Sequence, residues 1–145
     1  MRALGVDLGS RRIGLAVSDP SGTTATPLTV IDRARRRDED HEAIVAAARA
    51  QGASVIVVGF PLTLEGEVGL AARRVLSEVD ELRRAAAADP ATAMRVEVQD
   101  ERLSTVTADR AMTDAGARRE RRRRDIDKVA AAVILQSWLD ARGGA

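Results

Sequence analysis

Three acidic positions in separate segments have the residue type and setting for metal-assisted phosphodiester chemistry. Asp7 stands near the carboxyl end of an alternating run, Leu4, Val6 and Leu8 against Ala3, Gly5 and Gly9. A carboxylate among apolar and tiny neighbours is costly unless it is hydrogen-bonded, at an exposed edge or bound to a cation. Gly5 and Gly9 would let a metal or phosphate approach the backbone; the plainer reading is an Asp that caps the Gly9 turn. At 100° per residue, Asp127 falls on the same helical face as Ala131, Ile134 and Trp138, an acid on an apolar stripe. Asp125 falls on roughly the opposite side, and either Asp could instead be a first-turn acid offsetting the helix dipole. Asp100-Glu101 follows a strand-like run, where the ends of α/β sheets gather ligands. Alternation groups Asp100 with Val96 and Val98, and Glu101 with Arg95 and Glu97. The bland alternative is a solvated acidic turn.

Such carboxylates, with no cysteine and a lone His41, point to a hard, oxygen-loving cation, Mg²⁺ or Mn²⁺. Clusters of this kind hold two ions ~3.5–4 Å apart that activate water and stabilise the leaving oxygen. His41 lies in a helical pattern and reads as a packing or surface residue. Arg118, Arg119, Arg121, Arg122, Arg123 and Arg124, interrupted by Glu120, immediately precede Asp127. A charge run usually means a solvated loop; beside an acidic centre it would contact phosphates. Arg11 and Arg12 could add to that basic rim.

The elements that must position these residues can be read from periodicity. Strands are expected over Arg2–Leu8 and Ile13–Ser18, a hairpin with one bulky and one small face, and over Pro27–Ile31, with Pro27 at its beginning where a missing donor is harmless. Asp38–Gln51 predicts a helix with an N-cap and Gly52 at its end. Val55-Ile56-Val57-Val58 predicts a parallel strand covered on both faces. Val68, Ala72, Val75, Val79 and Leu82 predict a long amphipathic helix closing near Asp89-Pro90. Met94–Gln99 is a further strand, and a helix follows from about Thr105 to Ala115, capped by Ser104 or Thr105 and stopped at Gly116. Arg118–Arg124 is expected to have little structure, and Asp125–Ala141 to form the last helix. The order β-β-β-α-β-α-β-α-α implies a mixed five-stranded sheet, an antiparallel meander extended by parallel strands, with helices on both faces.

The 145 residues are one domain's worth, enough for a self-sufficient core. With 45% hydrophobic and 31% charged residues the composition is that of a soluble globular protein. The absence of cysteine excludes disulfides, thiolate zinc sites and cysteine nucleophiles. No signal peptide is visible and no apolar run approaches the ~18 residues that span a bilayer, so no membrane association and a cytoplasmic location are expected. The net charge of +1 does not mark a nucleic-acid binder, so distribution matters more than the total. The preference for arginine and alanine reads as codon bias. Phe60 and Trp138 are the aromatic residues, too few for stacked single-strand platforms.

Four segments together resemble the YqgF family, the RuvX-type Holliday junction resolvases or pre-16S ribosomal RNA nucleases. They are Gly5-Val6-Asp7-Leu8-Gly9 through Arg12-Ile13-Gly14-Leu15-Ala16-Val17-Ser18-Asp19, then Val57-Val58-Gly59-Phe60-Pro61-Leu62, Asp100-Glu101-Arg102-Leu103-Ser104-Thr105, and Asp127 to Leu139. The resemblance spans most of the chain. It implies one ribonuclease H-like nuclease domain over 1–145, a hydrolase that trims the 5′ end of the small-subunit rRNA precursor. It also implies Asp7, Glu101 and Asp127 as catalytic and metal-binding acids, Asp100 being the reserve for the middle one. Arg12, Arg121, Arg122, Arg123 and Arg124 are the expected substrate contacts, Mg²⁺ or Mn²⁺ the expected cofactor. The expected partner is structured RNA or branched DNA, with a homodimer among the permitted arrangements. The sequence departs from the family pattern at Phe60, where Leu is more usual, and at Thr63-Leu64-Glu65, where Asn and Asp are common.

Two competing readings stand beside this one. Asp7-Leu8-Gly9 also resembles the phosphate turn of actin-like ATPases and sugar kinases, but these need two such domains to enclose a nucleotide. A non-catalytic nucleic-acid-binding factor in ribosome assembly or transcription would carry its acids as relics, and all three acids are present here.

Overall fold

The computed structural model describes residues 1–60, 69–100 and 119–143, with side chains in the last segment from residue 124 onward. Five strands form one sheet in the order β3-β2-β1-β4-β5. β1 (Arg2–Leu8), β2 (Arg12–Ser18) and β3 (Ala25–Asp32) make the antiparallel meander, while β4 (Ala53–Phe60) and β5 (Arg95–Asp100) continue it in parallel. The expected mixed sheet is therefore present.

Its two faces differ because the strands alternate large and small residues. Leu4, Val6, Ile13, Leu15, Ile56, Val58 and Val96 point to one side and pack on α1 (Arg37–Ala50) and α2 (Leu70–Ala87) through Ile44, Val45, Ala48, Val75, Val79 and Leu82. Ala3, Ala16, Val55 and Val57 point to the other and meet α3 (Arg119–Gly143) through Ala131, Ile134, Leu135, Trp138 and Leu139. The small face of the hairpin is what lets α3 come close. A Cβ built on Gly5 would lie 2.7 Å from Leu135 Cβ, and one on Gly14 would lie 2.0 Å from the carbonyl oxygen of Asp127. β4 is buried on both sides, as its unbroken β-branched run predicts.

Three expectations need correction. The arginine run is helical from Arg119 onward, because arginine is among the better helix formers and α3 is already nucleated by its packed second half. Pro27 lies inside β3, not at its start; β3 is an edge strand, and the register slips at that point, with Leu15 opposite Thr29 and Ala16 opposite Pro27. A bulge on an edge is where a residue without an N–H costs least. The N-cap of α1 is Arg36, which makes no side-chain cap hydrogen bond; the end is as expected, with Gly52 at φ +68°. The helix expected over 105–115 lies outside the described residues. Among the described residues no helix is long and apolar enough to cross a membrane.

Candidate active site

Asp7 is the last residue but one of β1, just before the chain reverses, and its partner across the ladder is Gly14. Directly paired residues on an antiparallel ladder send their side chains to the same face, with Cβ positions ~4.5–5.5 Å apart. The Gly14 side of that pair has no side chain, and the space is taken by the backbone of α3 at Asp127-Lys128. The first strand, the second strand and the last helix thus converge at one spot. Two acids from opposite ends of the chain are brought to the same face of the same sheet end because position 14 is glycine.

Asp127 does not stand alone there. Arg12 Nε donates to its Oδ2 at 2.7 Å, and both side chains are about a quarter exposed, 25% for Arg12 and 23% for Asp127. An opposite charge at this distance stabilises the carboxylate in a partly screened setting. Asp125 sits nearby in an ion pair with Lys128 at 3.7 Å. Arg124 is exposed and its Nη2 donates to both carboxylate oxygens of Asp32 on β3, at 2.9 and 2.8 Å. Arg12 and Arg124 therefore lie along the α3 side of the sheet, each paired with a carboxylate. Arg121, Arg122 and Arg123 belong to the first turns of α3. Arg11 is exposed in the β1–β2 turn.

β5 separates the two candidates for the middle acid. Gly5 lies beside Val57, and Val57 beside Glu97, so odd positions of β5 share the face of Asp7. Val96 packs on α1 and α2, and Asp100 has the same parity, so Asp100 projects to the face opposite Asp7. Glu101 lies outside the described residues. Among the described residues no three Asp, Glu, His or Cys side chains gather closely enough to hold a metal. The donor types nonetheless suit Mg²⁺ or Mn²⁺: Asp7 and Asp127 are hard-oxygen ligands on the same face of the sheet, and Asp127 already accepts from the guanidinium of Arg12.

On the other face, just beyond Leu8, lies an ionic cluster that was not read from the sequence. Arg33, the first residue after β3, donates from Nε to the Gly9 carbonyl at 3.0 Å, from Nη1 to Asp40 at 3.2 Å and to Glu78 at 2.5 Å, and from Nη2 to Glu78 at 3.0 Å. His41 Nε2 lies 2.9 Å from Glu78 Oε2, and Asp40 Oδ1 accepts from the Ala34 amide at 2.7 Å. Burial alone would raise the Glu78 pKa, but the hydrogen bonds from Arg33 and His41 outweigh it and hold the carboxyl below its ordinary range. Burial likewise works against the charge of Arg33, and Glu78 and Asp40 more than restore it. The cluster ties α1 and α2 to the turn that follows Asp7. A signal existed: Glu78 interrupts the stripe Val75, Val79, Leu82 just as Asp127 interrupts its own. His41 is a core residue, 2% exposed, as the packing reading expected.

At the far end of the hairpin Asp19 closes the β2–β3 turn, accepting from the Ser21 hydroxyl and the Thr23 and Thr24 amides, which drives its pKa well below the usual carboxylate range.

Over nearly its whole length the chain is similar to known proteins. The family model described as "RuvX: Holliday junction resolvase" matches residues 1–141. A protein of Kineococcus radiotolerans named "Putative pre-16S rRNA nuclease" is 45% identical over 138 residues, covering 95% of this chain and 71% of that one. A protein of the same name from an Anaeromyxobacter species is 44% identical over 142 residues, covering 98% of both. In three dimensions the chain is similar to Thermus thermophilus RuvC solved in complex with a Holliday junction substrate, with a TM-score of 0.54 at 19% identity over 99% of this chain and 96% of that one. That likeness establishes the ribonuclease H-like fold.

Proposed function

The chain belongs to the RuvX family, and from that premise we propose that it is a nuclease that hydrolyses phosphodiester bonds in the 5′-end maturation of pre-16S rRNA. The convergence of Asp7 and Asp127 over Gly14 is the observation that carries this reading. The relatives named for pre-16S rRNA favour RNA as substrate. Branched DNA is the second reading, favoured by the family description and by the DNA complex of the structural neighbour. The whole chain, residues 1–145, acts in this proposal as one nuclease domain, located in the cytoplasm.

Asp7, Asp127 and Glu101 are the proposed catalytic acids and would hold Mg²⁺ or Mn²⁺. Glu101 is preferred to Asp100 because Asp100 has the strand parity of Val96 and so lies on the face opposite Asp7. The bound ions would supply an activated water and stabilise charge on the leaving oxygen. The protein's own contribution is placement. β1 presents Asp7 from a rigid central strand, and the close seat of α3 on Gly14 fixes the height of Asp127. Arg12 balances Asp127 and is a proposed contact to a phosphate oxygen; Arg121, Arg122, Arg123 and Arg124 are the further proposed contacts to the nucleic-acid backbone.

The test is Asp7→Asn, which keeps size and removes the charge. With Mg²⁺ and a structured precursor RNA, cleavage should fall ~10²–10³-fold, on the scale of removing one preorganised electrostatic group, with an unchanged circular dichroism spectrum. Equal cleavage by the variant would reject the assignment.

A further inference from the structure

The β1–β2 turn has a residue of the proposed site at each end, Asp7 just before it and Arg12, the partner of Asp127, just after it. Arg33 grips that turn twice. Its backbone amide donates to the Arg11 carbonyl at 2.9 Å, and its side-chain Nε donates to the Gly9 carbonyl at 3.0 Å. We propose that Arg33 is a positioning residue of the nuclease site, which acts through this turn to hold Asp7 and Arg12 in their working places. The inference rests on the nuclease reading above and adds to it a residue from outside the acidic centre.

The turn is short and transmits displacement. Gly9 donates from its amide to the Asp7 carbonyl at 3.1 Å, and a Cβ built on Gly9 would lie 2.5 Å from the Arg12 carbonyl oxygen. The backbone of Gly9 is therefore packed against the residues at both ends of the turn. With no side chain to absorb a shift, a displaced Gly9 moves Asp7 on one side and Arg12 on the other.

The guanidinium that holds Gly9 is itself fixed. Nη1 donates to Asp40 and Glu78, and Nη2 donates to Glu78. Both acids are buried, one on α1 and the other on α2. Asp40 also accepts from the Ala34 amide, so the chain just beyond Arg33 is tied to the same acid, and His41 Nε2 braces Glu78 at 2.9 Å. Two carboxylates face one guanidinium, an excess of negative charge that keeps the cation in its seat. The fork is planar, so an orientation that turns Nη1 and Nη2 to the acids also fixes where Nε points.

This arrangement separates two roles that one residue could play. Offsetting charge on the buried acids requires only a cation. Reaching the Gly9 carbonyl at the same time requires the fork, because an ammonium is a compact point charge on a flexible stem. A purely structural Arg33 would be replaced well by lysine; a positioning Arg33 would not.

The test compares wild type with three variants. Arg33→Lys keeps a cation beside Asp40 and Glu78 but loses the fork, and Glu78→Gln keeps Arg33 but weakens its two-point seat. Val79→Ala opens a cavity in the core that α2 shares, away from the turn. Cleavage of a structured precursor RNA with Mg²⁺ gives kcat and KM, melting gives Tm, and hydrogen exchange followed by NMR reports the Gly9 amide. In Arg33→Lys, kcat should fall ~10²-fold, the scale of a ~1 Å misplacement, with KM near wild type and faster exchange at Gly9. Glu78→Gln should shift kcat and exchange in the same direction by less, and it carries the test alone should Arg33→Lys fail to fold. Val79→Ala should lower Tm and leave kcat and Gly9 exchange as in wild type. Wild-type kcat or wild-type Gly9 exchange in the folded Arg33→Lys and Glu78→Gln proteins overturns the proposal. So does an equal loss of kcat from Val79→Ala, which would mean general loosening, or a raised KM at unchanged kcat, which would make Arg33 a substrate contact. If wild type cleaves neither RNA nor branched DNA, it is the nuclease reading that fails, and Gly9 exchange still decides whether Arg33 holds the turn.

Discussion

Gly14→Ala puts the convergence of the two acids under direct test. The added methyl would sit 2.0 Å from the Asp127 carbonyl oxygen, 2.4 Å from its carbon and 3.0 Å from the Lys128 nitrogen. All three are backbone atoms of a long helix, so no side chain can rotate away. Restoring a separation of at least 3.0 Å from that oxygen requires α3 and β2 to move apart by about 1 Å. Overpacking of this kind costs ~1–3 kcal/mol, and at this chain length each kcal/mol lowers Tm by roughly 2–4 °C, giving a fall of roughly 2–12 °C. A misplacement of ~1 Å at a reacting centre costs ~10²-fold in rate. Melting followed by circular dichroism and Mg²⁺-dependent RNA cleavage at about 25 °C, far below the transition expected of an ordinary domain, separate the two effects. Gly143→Ala, where an added Cβ meets nothing within 4 Å, is the control and should change neither. A Gly14→Ala protein with wild-type Tm and rate would refute the claim that this glycine sets the height of Asp127.

Other perturbations follow from the same side chains. Arg12→Gln should alter stability by less than ~1 kcal/mol, because the pair with Asp127 is partly exposed, yet tighten calorimetric Mn²⁺ binding by removing a competing cation; weaker binding would contradict the expectation. Glu78→Gln should destabilise by ~2–3 kcal/mol at neutral pH, the lower end for a buried pair, since Arg33 keeps Asp40 as a partner. The pH profile of the same variant has a fixed sign. Glu78 ionises below its ordinary 4.5 in the folded protein, so the unfolded chain binds the extra proton between the two values. Its contribution is present above pH 4.5 and is lost as pH falls through the folded value; denaturant midpoints of wild type and variant should converge on acidification.

Much of the fold was legible because alternation and helical period report which face of each element is buried. The bulky face of the hairpin, the doubly covered β4 and the stripe of α2 all read directly from residue spacing. Asp127 was legible for the same reason, as an acid on an apolar face. The ionic cluster carried that signal at Glu78 but was not found, since its meaning depends on Arg33, which lies beyond a strand in another part of the chain. The arginine run looked like a solvated loop because pattern reading weighs charge, whereas arginine's helix propensity and the packed continuation of α3 decide its conformation.

By itself the sequence determined which residues had to be inside, which strands had to alternate, and which carboxylates were out of place among apolar neighbours, because these depend on side-chain chemistry and local period. Tertiary structure alone decided that Asp7 faces Gly14, that α3 rests its Asp127 backbone on that glycine, and that Asp100 turns to the opposite face from Asp7. Those outcomes depend on strand register and on the distance between a helix and a sheet. Both are set by contacts between segments far apart in the chain.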